Sequence, residues 1–274
     1  MLDFRVDAIK CTACDICVVD CPSGIIYRNT NIPEVVLPES GRCLECQHCL
    51  AVCPTGAVSV FGLKPQKSIQ FYDGVFPSYD QMKALARGRR SVRKFQKDEV
   101  SPAVINELLT DIAHAPTGCN DRDLVFTVIE HRKDMEILLE KLVKTIETMQ
   151  ASGEPVHEFI AAAASAYRKF GKDNLFRGAP HLLIVSPGEK AHTGQEDAII
   201  ALSYFELLAQ SAGLGTTWCG MIKIIADLVP GTRDLLGLTP NVYFYAMMFG
   251  KPAVKFERTV QRDADAKIRR LKFT

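Results

Sequence analysis

Apolar residues recur at helical spacing over much of the chain beyond residue 80. Ser101 and Pro102 place an N-cap and a proline at the first helical position, and Val104, Ile105, Leu108, Leu109 and Ile112 then form one stripe. The same period returns over residues 134–150 through Ile137, Leu138, Leu142, Val143 and Ile146. Residues 195–212 make a more apolar helix closed by Gly213, and its weak polar face implies burial, in a core or a subunit interface. Residues 124–129, 181–186 and 242–249 are short and rich in branched or aromatic side chains, which predicts strands. The balance is α+β, a shell of helices around a small sheet. Residues 63–79 contain Pro65, Gly74 and Pro77 without helical periodicity and read as an extended connector. The expected organisation is a module over 1–62, a connector over 63–79 and a larger domain over 80–274.

The first module is defined by cysteine. Eight of the chain's 10 cysteines lie between Cys11 and Cys53, leaving only Cys119 and Cys219 beyond. Residues 11–22 read CTACDICVVDCP and residues 43–54 read CLECQHCLAVCP, the same C-x2-C-x2-C-x3-C-P pattern twice. Three cysteines at intervals of three wrap one side of an iron-sulfur cube, while the fourth leads away to the neighbouring cluster. In that arrangement Cys11, Cys14, Cys17 and Cys53 hold one 4Fe-4S cluster, and Cys43, Cys46, Cys49 and Cys21 hold the other. Pro22 and Pro54 fix the turn after each fourth cysteine, and Gly24 and Gly56 suit tight reversal at matching offsets. Zinc is the rival reading, since paired C-x2-C motifs also build tetrahedral sites, but it leaves the third cysteine and the Cys-Pro ending of each run surplus. His48 lies inside the second run and reads as a packing or solvent-facing residue, because four sulfurs already serve each cluster.

Composition narrows the partners. The 274 residues carry 33 Lys+Arg against 32 Asp+Glu, a net charge of +1, so no global field favours nucleic acid or an anionic membrane. The N-terminal segment has Asp3 and Asp7 and no apolar core of signal-peptide length. The apolar run over 198–209 is cut by Glu206 and too short to span a bilayer. A cytoplasmic location follows as the expectation. There thiols stay reduced, so metal ligation outranks disulfides.

Three motifs in the larger domain carry chemistry. Residues 89–95 read RRSVRKF, arginine forks and a serine hydroxyl suited to a phosphate; taken alone, a basic run at a helix end is a solvated face that complements the dipole. Residues 115–121 read APTGCND, where Pro116 ends a helix and Gly118 permits close backbone approach, or a plain loop. Residues 212–220 read AGLGTTWCG, a glycine-spaced loop whose G-x-G-x4-G spacing and preceding helix both fail the dinucleotide fingerprint, so a built-in NAD(P)H domain is not expected.

Residues 1 to about 62 resemble a bacterial-type two-cluster ferredoxin. Residues 80–262, with the three motifs in this order, resemble the nitroreductase family of FMN-dependent oxidoreductases. The resemblance implies an α+β homodimer with FMN at the subunit interface. It places Arg89, Arg90, Ser91 and Arg93 at the phosphate and pyrimidine edge, and Pro116, Thr117, Gly118 and Asn120 in a loop over the isoalloxazine lent in part by the partner. It places Trp218, Cys219 and Gly220 beside the flavin N5, and Lys255 and Arg258 as late phosphate contacts, with Lys251 and Arg262 as alternatives. Arg122-Asp123 departs from the Gln-Pro of many relatives. Cys219 and Cys119 read as inert buried residues in preference to redox thiols.

Clusters move one electron at a time and a flavin collects two. The expected function is therefore an FMN oxidoreductase whose clusters take electrons from a low-potential donor such as ferredoxin. The flavin then reduces a small electrophile: a nitroaromatic, a quinone or an activated double bond. Two alternatives remain at this point. One is an NAD(P)H-dependent reductase passing electrons outward through the clusters; the other is a non-catalytic electron-transfer or redox-sensing protein.

Overall fold

The computed structural model describes residues 2–273 and divides into two compact units. The first runs to Pro77 and also takes in Cys119–Asp121; the second holds the remainder from Ser78. The segment expected as an extended connector thus groups with the first unit up to Pro77 and includes a 3-10 turn at Pro65–Lys67.

The first unit is built on a duplication. Strand β1 (Phe4–Val6), helix α1 (Ile16–Val19) and strand β2 (Ile26–Tyr27) are followed by β3 (Glu34–Val35), helix α2 (His48–Ala51) and β4 (Val58–Val60). β1 pairs antiparallel with β4, joining the segments that precede and follow the two cysteine runs, and β2 pairs with β3. The repeat extends to the backbone. Ala13 and Asp15 in the first cysteine run have φ of 54° and 57°, and Glu45 and Gln47 at the same places in the second have 51° and 59°. Left-handed conformations cost an L-residue roughly 1–2 kcal/mol each, so four at matched positions point to one strained wrap used twice.

In the second unit, helix α3 (Tyr79–Gly88) opens with a capping box between Ser78 and Gln81. Then come α4 (Pro102–Ile112), β5 (Leu124–Ile129), α5 (Arg132–Ala151), α6 (Glu158–Phe170), β6 (His181–Pro187), α7 (Gly194–Ser211), β7 (Gly215–Trp218), α8 (Gly220–Leu228), α9 (Thr232–Leu235) and β8 (Tyr245–Gly250). The four strands form one antiparallel sheet in the order β5-β6-β8-β7. Successive strand side chains point to opposite faces, and the core divides accordingly. Leu182, Ile184, Ala246 and Met248 pack with α5, α6 and α8. Leu183, Val185, Met247 and Phe249 pack with α4 and α7. The weak polar face of α7 is explained within its own unit, where Ala198, Ala201, Leu202 and Phe205 are buried.

Two expectations need correction. Ile137 is exposed, because the buried stripe of α5 runs through Met135, Leu138, Leu139, Leu142, Val143, Ile146 and Met149, one step out of phase with it. The glycine-spaced segment 212–220 is not all loop: Gly215–Trp218 is the edge strand β7, since Thr216 and Thr217 fit a pleated ladder against β8 and Gly215 admits close packing. A Cβ on Gly215 would lie 2.6 Å from Val92.

His181 starts the central strand fully buried, stacked on Phe249, and its Nε2 accepts a hydrogen bond from the Val100 amide at 2.8 Å. Burial lowers its proton affinity, against the opposing pull of the Glu130 backbone and the Glu99 and Glu130 charges and with the help of His131. The unfolded chain then binds this proton more readily than the fold does. The stabilising contribution is present above the ordinary histidine pKa of about 6.5 and is lost as pH falls below it. Urea titrations at pH 7.5 and pH 5 should show a larger loss of stability in the native protein than in His181→Gln, which keeps an acceptor for Val100 without the titrating ring.

Candidate functional site

In the first unit the eight motif cysteines fall into two quartets that cross the sequence. Cys11, Cys14, Cys17 and Cys53 line one cavity with Pro54 and Ile16. Cys21, Cys43, Cys46 and Cys49 line a second with Pro22 and Ile26. Burial raises the proton affinity of the Cys17 thiol first, and the neighbouring Cys53, Cys14 and Cys11 raise it further. Cys49 is pushed up to about 11 by burial, with Cys46, Cys21 and Cys43 adding to the shift. Four thiolates so placed repel one another and need positive charge among them. Among the described residues no three His, Cys, Asp or Glu side chains converge as a single ion requires. Each quartet frames a space, which fits a multi-iron group better than one zinc. Amides already point at sulfur: Ala57 N donates to Cys53 Sγ at 3.2 Å and Glu45 N to Cys43 Sγ at 3.4 Å, contacts of the kind that tune cluster potentials.

His48 is exposed, with Nδ1 3.1 Å from Asp20 Oδ2, outside both quartets. Cys119 is exposed too, which corrects its reading as a buried residue; it sits on a 3-10 turn with φ of 51°, and a tight surface turn cannot enclose its side chain. In the same turn Asn120 donates through Nδ2 to the Leu44 carbonyl at 2.8 Å, within the first unit.

In the second unit the RRSVRKF segment leaves the C-terminus of α3 and lies along β7. Ser91 bridges Thr216, Val92 N donates to the Thr216 carbonyl at 2.8 Å, and Thr217 Oγ1 donates to the Val92 carbonyl. This lacing separates the arginines. Arg89 turns inward to Glu206 of α7, Nη1 to Oε1 3.0 Å, with only 8% of the Glu206 side chain exposed. Arg90 turns into a cavity of about 410 Å³ lined also by Gly88, Gln210, Gly215, Thr216, Val254 and Lys255. Burial, Arg89 and Arg262 all lower the proton affinity of Arg90, and Glu206 opposes them only weakly. Arg90 is half-buried, its Nε donates to the Arg89 carbonyl, and like charge stands near its guanidinium. Arg93 is exposed, and Arg258 is exposed in the C-terminal segment.

The other predicted residues occupy the loop and strand ends. Gly118 N donates to Asp197 Oδ1 of α7 at 3.0 Å, and Thr117 Oγ1 accepts from Arg122 N at 2.9 Å, with Pro116 leading into this turn. Asp123 holds the β6–α7 loop: its Oδ2 accepts from Lys190 N at 2.7 Å, and a Cβ on Gly188 would overlap its carboxylate. That contact gives the departure at Arg122-Asp123 a structural role. Trp218 ends β7 with its ring edge-on to Tyr245 at 5.5 Å, and the Tyr245 hydroxyl fills the space a Cβ on Gly220 would need. Cys219 is 1% exposed, and burial, reinforced by Asp173, pushes its thiol up to about 12. Iodoacetamide applied to the native protein should label Cys119 and spare Cys219, as read by peptide mass spectrometry.

Sequence reasoning missed Glu206, Gln210, Thr193 and Asp197 as site-supporting residues. Glu206 had a visible signal, a lone acid in an apolar helix. Asp197 had none, since an acid in the first turn of a helix is ordinary dipole complementation.

The fold and these sites define a class: an α+β domain with a cavity lined by Arg90 and Lys255, preceded in the chain by a module with two cysteine quartets. The profile of the Nitroreductase family matches residues 86–251, and that of the 4Fe-4S dicluster domain matches residues 10–58. The chain belongs to the Nitroreductase family and carries an N-terminal 4Fe-4S dicluster domain. A protein of Methanothermobacter thermautotrophicus with the provisional name NADH dehydrogenase/NAD(P)H nitroreductase is 28% identical over 186 residues, 66% of this chain and 82% of that protein. Among solved structures, an FMN-bound nitroreductase from Bacteroides fragilis is similar with a TM-score of 0.55 at 21% identity, over 69% of this chain and 99% of that one. An FMN-bound nitroreductase from Desulfitobacterium hafniense gives 0.54 at 19% identity, over 72% and 100%. Among the described residues no helix is long and apolar enough to cross a membrane.

Proposed function

We propose that this chain is an FMN-dependent reductase of small electrophiles that draws its electrons from a low-potential protein donor, such as a ferredoxin, through two 4Fe-4S clusters. The observation that carries the reading is the pair of cysteine quartets on the same chain as a cavity lined by Arg90 and Lys255. Cys11, Cys14, Cys17 and Cys53 would hold one cluster and Cys21, Cys43, Cys46 and Cys49 the other. Arg90 and Lys255 would bind the flavin phosphate, with Thr216 and Gly215 offering backbone close by. When bound, the clusters supply single-electron transfer and FMN supplies the exchange between one- and two-electron chemistry.

The chain's own groups bind and orient. Arg90, whose Nε donates to the Arg89 carbonyl, would offer its terminal amino groups to an anion. The Arg89–Glu206 pair keeps the neighbouring guanidinium out of the cavity, so one arginine is structural and one is left for the ligand. The inert thiol of Cys219 takes no part in proton or electron transfer. Protons for the reduced product come from water, and the acceptor is a nitroaromatic, a quinone or an activated double bond. We further propose that the working form is a homodimer with each flavin contacted by both chains, the 116–120 loop being lent in part by the partner, and that it acts in the cytoplasm.

The deciding experiment is anaerobic purification followed by iron, sulfide and flavin analysis, then stopped-flow mixing with reduced ferredoxin and, separately, NADPH. About eight irons and one FMN per chain, as two cubanes and one flavin require, with flavin bleaching only by ferredoxin, is the expected result. Rapid bleaching by NADPH would instead establish an NAD(P)H-dependent reductase, the reading favoured by the name of the Methanothermobacter relative.

A further inference from the structure

Of the two buried acids of α7, Asp197 has no role in the reading above. Asp197 is 2% exposed and lies one turn into α7, where the helix dipole favours a carboxylate. Its Oδ1 accepts two hydrogen bonds, from the Gly118 amide at 3.0 Å and from Thr193 Oγ1 at 2.8 Å. Its Oδ2 is buried with no hydrogen-bond partner among the described residues. A carboxylate oxygen without a donor is costly, so stability alone does not account for the acid here. The contact is also sterically tight, because a Cβ on Gly118 would lie 2.1 Å from Thr193 Oγ1. With the hydroxyl at 193 in place, position 118 has no room for a Cβ.

We propose that Asp197 is a positioning residue: with Thr193 it clamps the Gly118 amide to the first turn of α7 and so presets the Pro116–Gly118 turn that contacts the flavin. The inference rests on the assignment of that turn to the flavin site. A turn fixed before the ligand arrives spares binding the entropy of ordering it. Asp197 touches no reacting atom in this scheme. It acts through Gly118.

Two readouts test this separately. The first is amide exchange at Gly118 in the flavin-free protein, with the central-strand amide of Leu183 as the internal reference. Asp197→Ala and Thr193→Val should speed exchange at Gly118 by about tenfold or more, the loss of one hydrogen bond, while Leu183 is unchanged. Asp197→Asn, which keeps the Oδ1 acceptor, should stay close to the native rate. The second is FMN affinity by fluorescence quenching. It should weaken about tenfold or more in Asp197→Ala and Gly118→Ala, stay near native in Asp197→Asn, and recover in part in Gly118→Ala/Thr193→Ala, where the overlapping hydroxyl is gone.

Unchanged exchange at Gly118 in both Asp197→Ala and Thr193→Val, or an Asn variant as impaired as the Ala variant, would overturn the clamp. Faster exchange with undiminished FMN affinity would leave the clamp standing as a local contact and overturn its role in the flavin site. Should Asp197→Ala fail to fold, Thr193→Val, which leaves the acid in place, decides alone.

Discussion

Alanine at Arg90 is expected to strip flavin from the protein while leaving its iron in place, and alanine at Arg89 is not. The two residues are adjacent in sequence and opposite in environment. Arg90 lines the 410 Å³ cavity with Lys255; its Nε donates to the Arg89 carbonyl, and among the described residues no carboxylate pairs with it, which leaves its terminal amino groups for the proposed phosphate. A hydrogen bond to a charged group contributes about 1.5–3 kcal/mol, so Arg90→Ala should weaken FMN binding roughly 10- to 150-fold. Adding Lys255→Ala should weaken it further. Arg89 is already committed to Glu206 at 3.0 Å, and removing it leaves that carboxylate, 8% exposed, without its cation. Losing one partner of a fully buried pair costs ~3–5 kcal/mol; with Arg89 26% exposed, we expect up to ~3 kcal/mol of stability and a much smaller effect on flavin affinity. Equilibrium dialysis and urea titration of both variants check the split. Equal flavin loss in the two would mean that the cavity is not the phosphate site.

The second large effect concerns the crossed cysteine quartets. Cys53 ends the second motif but lines the cavity of Cys11, Cys14 and Cys17, whereas Cys21 ends the first and joins Cys43, Cys46 and Cys49. Cys53→Ala should therefore halve the iron, from about eight to about four per chain, by removing the cluster of the other motif. Cys11, Cys14 and Cys17 should become open to alkylation while Cys43, Cys46 and Cys49 stay protected. Cys21→Ala should give the mirror image. Donor-driven turnover should fall by at least tenfold in both, with turnover from chemically reduced flavin spared. Alkylation of the cysteines next in sequence to the mutated one would refute the crossing.

Both effects concern features the chain announces to different degrees. The cysteine runs are legible because a cluster demands ligands at short fixed spacing, and the spacing is the signal. The stripes of α4 and α5 are legible because a 3.6-residue period must put its apolar positions on one face; the misplaced Ile137 shows that the phase of a stripe is fixed only when a partner surface is present. β7 escaped notice because glycine and a preceding helix read as loop, while its strand character comes from the ladder it joins at β8, distant in sequence.

By itself the sequence determined a 4Fe-4S module followed by an α+β domain, the positions of helices α4, α5 and α7, and two runs of cysteines as candidate ligands. Those features arise from local periodicity and spacing, which neighbouring residues enforce. Only the tertiary structure decided that Arg89 is spent on Glu206 while Arg90 lines a cavity, and that Cys119 is exposed while Cys219 is sealed. It alone brought Asp197 to Gly118, 79 positions away. These are differences of environment between chemically identical side chains, and environment is set by which distant segments pack together, a relation that short-range pattern does not encode.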